Sequence, residues 1–239
     1  MYKDAERTNG EPAEELSECG VRIRWTDGAG RLHEFPQRAL SLFPRSEADR
    51  INRFVRESDR SHRYAAAGLL ADLISDAFGN PPDVLIDRDR FGRPCLSGME
   101  GVDISVSHSG EIVVCALSTR CRIGIDIELI RPVDIGDFKR VFPESLWKWL
   151  YPNGECHGSG DRADERFFHA WTRLESVIKA DGRGLSAPLG EMVFSDFETR
   201  LGADTWYVNT IQAAEGYVCS LAANVSPVRC EVEYIADPG

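Results

Sequence analysis

The sequence predicts an α+β fold made of two similar halves, and three observations carry that prediction. Short stretches alternate apolar and polar residues, as in VRIRW (21–25) and IGIDIEL (123–129), the period-two pattern of half-buried strands. Two long stretches, one following Ser58 and one covering about 163–180, place apolar residues at helical spacing. EIVVCALS (111–118) is echoed by GYVCSLAA (216–223), each downstream of one of those helices. The echo predicts a pseudo-twofold arrangement within one chain, with the halves meeting near residue 120. Residues 1–19 are then a flexible, polar N-terminal tail, 20–119 an N-terminal half and 120–239 a C-terminal half.

Taken in order, residues 21–25 form a strand. Asp27-Gly28-Ala29-Gly30 turns the chain, and residues 31–35 are expected to return as a second strand and close a hairpin. A helical stretch follows Pro44. It restarts near Ser58, with Tyr64, Leu69, Leu70, Leu73 and Ile74 as its apolar side and a stop at Gly79-Asn80-Pro81-Pro82. A short strand at 84–86, a turn at 90–94 and a strand at 102–107 follow. In the last, Val102, Ile104 and Val106 face one way and Asp103, Ser105 and Ser107 the other. Residues 112–117 read as a buried strand. In the next strand Ile123, Ile125, Ile127 and Leu129 take one face, and Gly124, Asp126 and Glu128 the other. Helical pieces are expected at 135–142 and 144–150, and a polar loop at 152–161. The second long helix should stop near Asp181, ahead of Gly182 and Gly184. Strands at 192–197, 205–211, 217–223 and 228–234 close the chain.

The 239 residues are 42% hydrophobic and 28% charged, as expected of a globular protein. The net charge of −11 argues against a nucleic-acid partner. It also weighs against a metal-dependent nuclease, although D-I-E followed far later by E-x-x-x-K superficially resembles one. Basic residues gather once, at Arg45, Arg50, Arg53, Arg56, Arg60 and Arg63, as a solvated helix face or a binding patch. The seven scattered cysteines form no C-x-x-C, so neither a disulfide framework nor structural zinc is expected. No apolar run is long enough to span a bilayer, and no signal-peptide pattern opens the chain. The expected location is the cytoplasm.

Three groups of residues carry chemistry. Asp126 and Glu128, at i and i+2 of one strand, project their carboxylates from the same face. They can share a hard cation such as Mg²⁺, or simply line a solvent-facing edge. Glu175 and Lys179 are one helical turn apart, which suits a charged substrate or an ordinary surface ion pair. Glu175 can add a third carboxylate to the first pair. Ser107-His108-Ser109 ends a strand in a turn that suits a phosphate or a capped turn.

In this order and spacing, GVDISVSHSG, GIDIE and WTRLESVIKADGRGLS resemble the three signature motifs of the 4′-phosphopantetheinyl transferases, Sfp type. The resemblance implies two α+β halves with coenzyme A bound in the cleft between them. It implies Asp126, Glu128 and Glu175 as ligands of Mg²⁺, with Mn²⁺ as the alternative ion. Ser107 and His108 match residues near the 3′-phosphate and ribose. Arg93, in the GRP turn, matches a basic position at the nucleotide end, and Arg50 and Arg63 resemble further contacts there. Lys179 matches the lysine that meets the pyrophosphate. The implied reaction moves phosphopantetheine from coenzyme A to a serine of an acyl or peptidyl carrier protein and releases 3′,5′-ADP. The attacking serine comes from the partner, so the catalytic residues are Glu175 and Lys179, with Glu175 a metal ligand first and a base second. No nucleic acid or membrane partner is implied, and a monomer is expected. One position departs from the family: Leu174 stands where Lys or Arg is usual and falls in the apolar stripe of the helix, so a phosphate contact is missing. Intact Asp126, Glu128, Glu175 and Lys179 argue against the other reading, a catalytically impaired coenzyme A- or carrier-binding module. A Ser–His–Asp hydrolase would need a G-x-S-x-G elbow that is absent.

Overall fold

The structure, a computed structural model, describes residues 20–79, 85–140, 142–151, 161–196 and 198–236. The tail and most of the polar loop lie outside them. Two sheets form the body. The first has the order β11-β1-β5-β4, from Cys230–Tyr234, Val21–Thr26, Ile112–Ser118 and Asp103–Ser109. The second has the order β6-β10-β9-β8-β7, from Ile123–Leu129, Tyr217–Ala223, Asp204–Ile211, Glu198–Leu201 and Met192–Phe194. A small hairpin joins β2 (Leu85–Arg88) and β3 (Pro94–Ser97).

Alternation along the strands sorts side chains into three cores. Ile112, Val114 and Ala116 of β5 pack with Ile123, Ile125 and Ile127 of β6 and Cys219, Leu221 and Ala223 of β10, which joins the two sheets face to face. Val113, Cys115 and Leu117 point the other way, against helix α2 (Glu57–Phe78), through Leu69, Leu70, Leu73 and Ile74. Val218 and Ala222 of β10 likewise meet helix α4 (Asp161–Asp181), through Phe168, Leu174 and Val177. Each half is therefore one sheet with one long helix on its outer face, and β5 and β10, the echoed segments, are equivalent central strands. Helix α1 (Arg45–Asn52) precedes α2, and α3 (Glu144–Leu150) precedes α4. Gly79, at φ +74°, ends α2, and Gly182, at φ +86°, follows the last residue of α4.

Three expectations change. Residues 31–35 do not pair with β1; residues 29–31 form a 3₁₀ turn, and Leu32 and Phe35 pack against the α2 core instead. Both edges of β1 are already taken, by β5 antiparallel and β11 parallel. The final strand thus crosses back to the N-terminal sheet, so the division at residue 120 holds only as far as β10. Strand β8 was not expected.

The halves are stitched by a side-chain ladder. Along β4, Asp103, Ser105, Ser107 and Ser109 accept hydrogen bonds from the backbone N–H groups of Ile123, Ile125, Ile127 and Leu129 in β6, at 2.8, 3.0, 3.4 and 3.1 Å. The polar face of one strand thereby satisfies the edge of the other. On its helix side β6 touches α4 so closely that a Cβ at Gly124 would lie 2.0 Å from the Ser176 carbonyl oxygen and 2.4 Å from the Ala180 nitrogen. Replacing Gly124→Ala must move the helix backbone. Urea denaturation should show a loss at or above the upper end of the about 1–3 kcal/mol typical of overpacking.

Candidate active site between the halves

Asp126, in the middle of β6, points at α4 and is only 4% exposed, which removes the reading of a solvent-facing edge. Its Oδ1 accepts hydrogen bonds from Ser107 Oγ at 2.8 Å and Lys179 Nζ at 2.7 Å. Lys179 Nζ also donates to Ser107 Oγ at 2.8 Å. Lys179 therefore pairs with Asp126, not with Glu175. Glu128, two residues along, accepts a bond from Ser109 Oγ at 2.7 Å and lies 3.4 Å from the Arg131 guanidinium. Ser107 and Ser109 both accept from β6 and donate to its carboxylates, a role that was not expected of them.

Asp126 Oδ2 is buried with no hydrogen-bond partner. Burial pushes the Asp126 carboxyl above its ordinary range against the pull of Lys179 and Ser107, with Glu128 adding to the rise. Glu175 is also raised, by burial first and then by Asp126 and Glu128, with Lys179 opposing. Three mutually repelling carboxylates, one with an orphaned oxygen, thus offer hard oxygen donors in one region. Among the described residues, no three His, Cys, Asp or Glu side chains are gathered closely enough to hold a metal ion. The carboxylates share one region without converging on a single point.

Two neighbouring cavities share Pro94 and Val106 in their walls. The first, about 320 Å³, is bounded by Phe91 and Arg93 of the β2–β3 turn, Ser105 and Val106 of β4, and Glu175, Ile178 and Lys179 of α4. Its walls therefore come from both halves. The second, about 220 Å³, is lined by Arg63, His62, His108, Arg88 and Glu47, among others.

Arg63 lies 3.9 Å above the Phe54 ring and donates to the Asp59 carbonyl at 3.1 Å. Its pKa is lowered by burial and by Arg50 and Arg88, with Asp59 and Glu47 opposing, and the cavity wall sets Arg63 and Arg88 beside Glu47 and Asp87. His108 stacks on His62, centroids 4.7 Å apart. Its pKa falls to about 4, first through desolvation and then through His62, Arg63 and Lys179, so the imidazole is neutral at pH 7. Arg50 makes a bidentate pair with Glu47, both bonds at 2.7 Å, and is set back from the cavity wall. Sequence reasoning missed His62 and Arg88; their signal was position, since His62 precedes Arg63 and Arg88 lies in the strand leading to the GRP turn.

Arg93 lines the first cavity, but its guanidinium is committed to internal partners. It pairs bidentately with Asp103 at 2.6 and 2.7 Å and donates to the Lys179 and Ile123 carbonyls, both at 2.8 Å. It thereby braces the β2–β3 turn against both halves. Arg173 is buried and donates to Thr199 Oγ1 and to the carbonyls of Ser195, Asp196 and Glu198, so it cannot replace a contact near Glu175. Arg183 pairs with Asp181.

The sequence itself matches known proteins. Residues 31–120 match a family described as 4′-phosphopantetheinyl transferase, N-terminal, and residues 122–222 match the 4′-phosphopantetheinyl transferase superfamily. The 4′-phosphopantetheinyl transferase Sfp of Bacillus subtilis is 26% identical over 78% of this chain and 84% of its own length. The transferase gsp of Aneurinibacillus migulanus is 29% identical over 74% of each. The transferase HetI of a Nostoc species is 31% identical over 59% and 60%. The chain belongs to the 4′-phosphopantetheinyl transferase superfamily, among its Sfp-like members. It is an enzyme of that transferase class.

Leu174 is 2% exposed, in the core that α4 forms with the second sheet. It lies away from Glu175 and Lys179, and a lysine there would bury an unpaired charge. Leu174→Lys should lower the melting temperature markedly and leave coenzyme A affinity unimproved in the protein that remains folded. Calorimetry of binding and of unfolding measures both.

Proposed function

We propose that this enzyme moves the 4′-phosphopantetheine arm of coenzyme A to a serine of an acyl or peptidyl carrier protein and releases 3′,5′-ADP. The observation that carries the reading is the three-carboxylate region, with its orphaned Asp126 oxygen beside Lys179, next to two adjoining cavities, one lined by Glu175 and Lys179 and the other by Arg63 and Arg88. Asp126, Glu128 and Glu175 would hold Mg²⁺, or Mn²⁺ in its place. When bound, the ion offsets charge on the pyrophosphate of coenzyme A.

The protein's own residues account for the remainder. Lys179, already directed into the site by Ser107 and Asp126, stabilises the negative charge that develops on the departing 3′,5′-ADP. Arg63 and His108 take the phosphate and ribose at the nucleotide end, with Arg50 behind them holding Glu47, while the Ser107 hydroxyl is committed to Asp126, Lys179 and the Ile127 N–H. Arg93 stiffens the wall on which the nucleotide rests. In the transfer, the carrier serine oxygen bonds to phosphorus, the phosphorus–oxygen bond to 3′,5′-ADP breaks, and the serine proton leaves. Glu175 ligates first and acts as the base that accepts that proton second, because a carboxylate bound to a cation has a depressed pKa and is a weak base. No helix among the described residues is long and apolar enough to cross a membrane; the partner we assign is the carrier protein, and the location the cytoplasm. The monomer is the acting unit.

Mass spectrometry of apo carrier proteins incubated with coenzyme A and Mg²⁺ should show the gain of one phosphopantetheine group. No gain across several acyl and peptidyl carriers would overturn the reading. Glu175→Gln should remain folded by circular dichroism, bind Mn²⁺ more weakly by electron paramagnetic resonance, and lose transfer by at least ~10²-fold. Full activity in that variant would remove the assignment of Glu175.

A further inference from the structure

The connection from α1 to α2 is pinned from below. Arg60 Nη1 donates to the carbonyls of Phe54 at 2.6 Å and Val55 at 3.2 Å. The Phe54 N–H reaches the Ile51 carbonyl at 3.1 Å, and the Phe54 ring lies beneath Arg63, with Arg50 5.6 Å from its centroid. On this fixed turn Val55 is 93% exposed, and Arg53 and Arg56 flank it, also exposed. Neither arginine makes an ion pair or a side-chain hydrogen bond within the described residues. Asp49 and Asp59 are close in sequence but not in ion-pair reach, and Glu57 binds His33 at 2.8 Å.

Many arginines elsewhere in the molecule are instead engaged by acids. Arg22, Arg24, Arg38, Arg50, Arg88, Arg93 and Arg183 are each paired to an acid, as a chain of net charge −11 readily allows. Two unpaired cations around an exposed valine, on a backbone already ordered, complement a surface that offers carboxylates around an apolar spot. The turn adjoins the second cavity through Phe54 and Arg63.

We infer that Arg53, Val55 and Arg56 form a docking surface for an acidic face of the protein substrate. This rests on the proposed function, in which that substrate is the carrier protein. The geometry gives the arginines of the cluster separate roles. Arg63 faces the nucleotide cavity, Arg50 and Arg60 hold the turn, and Arg53 and Arg56 meet the partner.

Steady-state kinetics with the carrier varied at saturating coenzyme A tests this in the full chain. The double variant Arg53→Glu with Arg56→Glu should raise the carrier KM about tenfold and flatten its salt dependence. The kcat and the KM for coenzyme A should stay unchanged. Val55→Ser should raise the carrier KM by a smaller factor at any salt concentration. An unchanged carrier KM overturns the inference, and so does a rise in the KM for coenzyme A, which would assign the arginines to the nucleotide. If the wild-type protein transfers to no carrier, the proposed function fails. Fluorescence anisotropy of a labelled apo carrier against wild type and variant still decides the docking: equal affinity overturns it, and tighter wild-type binding supports it.

Discussion

The ladder of hydrogen bonds from β6 into the side chains of β4 is the constraint on which the site depends. A sheet edge ordinarily meets another strand, or is protected from meeting one. Here alternate N–H groups of β6 are satisfied by one aspartate and three serine oxygens, so two sheets join without becoming one. This sets the distance between the halves. It also leaves the hydroxyls of Ser107 and Ser109 able to donate onward to Asp126 and Glu128. Structural and chemical functions therefore share the same atoms.

The electrostatics follow from that geometry. A buried carboxylate is tolerated when it is paired and hydrogen-bonded, and Asp126 is only half provided for: one oxygen has two partners and the other none. Glu175 approaches from α4, which Gly124 allows to lie almost against the β6 backbone. The negative region is thus built by packing that no surface ion pair would require. In the second cavity Glu47 is shared by Arg50 and Arg88, and Arg63 lies over the Phe54 ring instead.

Much of this was legible in the sequence. The alternation in IGIDIEL identified the face of Asp126 and Glu128, and the echo at 111–118 and 216–223 marked two equivalent central strands. The helical stripe placed Leu174 in the core, where it lies. What was not legible depended on distant partners. Nothing local distinguishes a serine that binds phosphate from one that accepts a backbone N–H of a neighbouring sheet. Arg93 sits in a glycine-flanked turn that looks exposed, yet Asp103 and two carbonyls far along the chain claim its guanidinium. The expected hairpin at 21–35 failed because β1 pairs with a strand some two hundred residues away.

That last pairing has a consequence for how the molecule assembles. Arg22 and Glu231, side by side on β1 and β11, are separated by 209 positions. Closing so long a loop carries an entropic cost that local contacts cannot offset early, so such pairings form late on a folding pathway. Among the described strands β1 comes first in the chain, and β5 can take one of its edges long before β11 is available for the other. Until β11 arrives, one edge of the first sheet is open to pairing with another chain. The charged residues of β1, Arg22 and Arg24, stand at that edge and later take Glu231 and Glu233 as partners. They protect the nascent sheet before they complete the mature one.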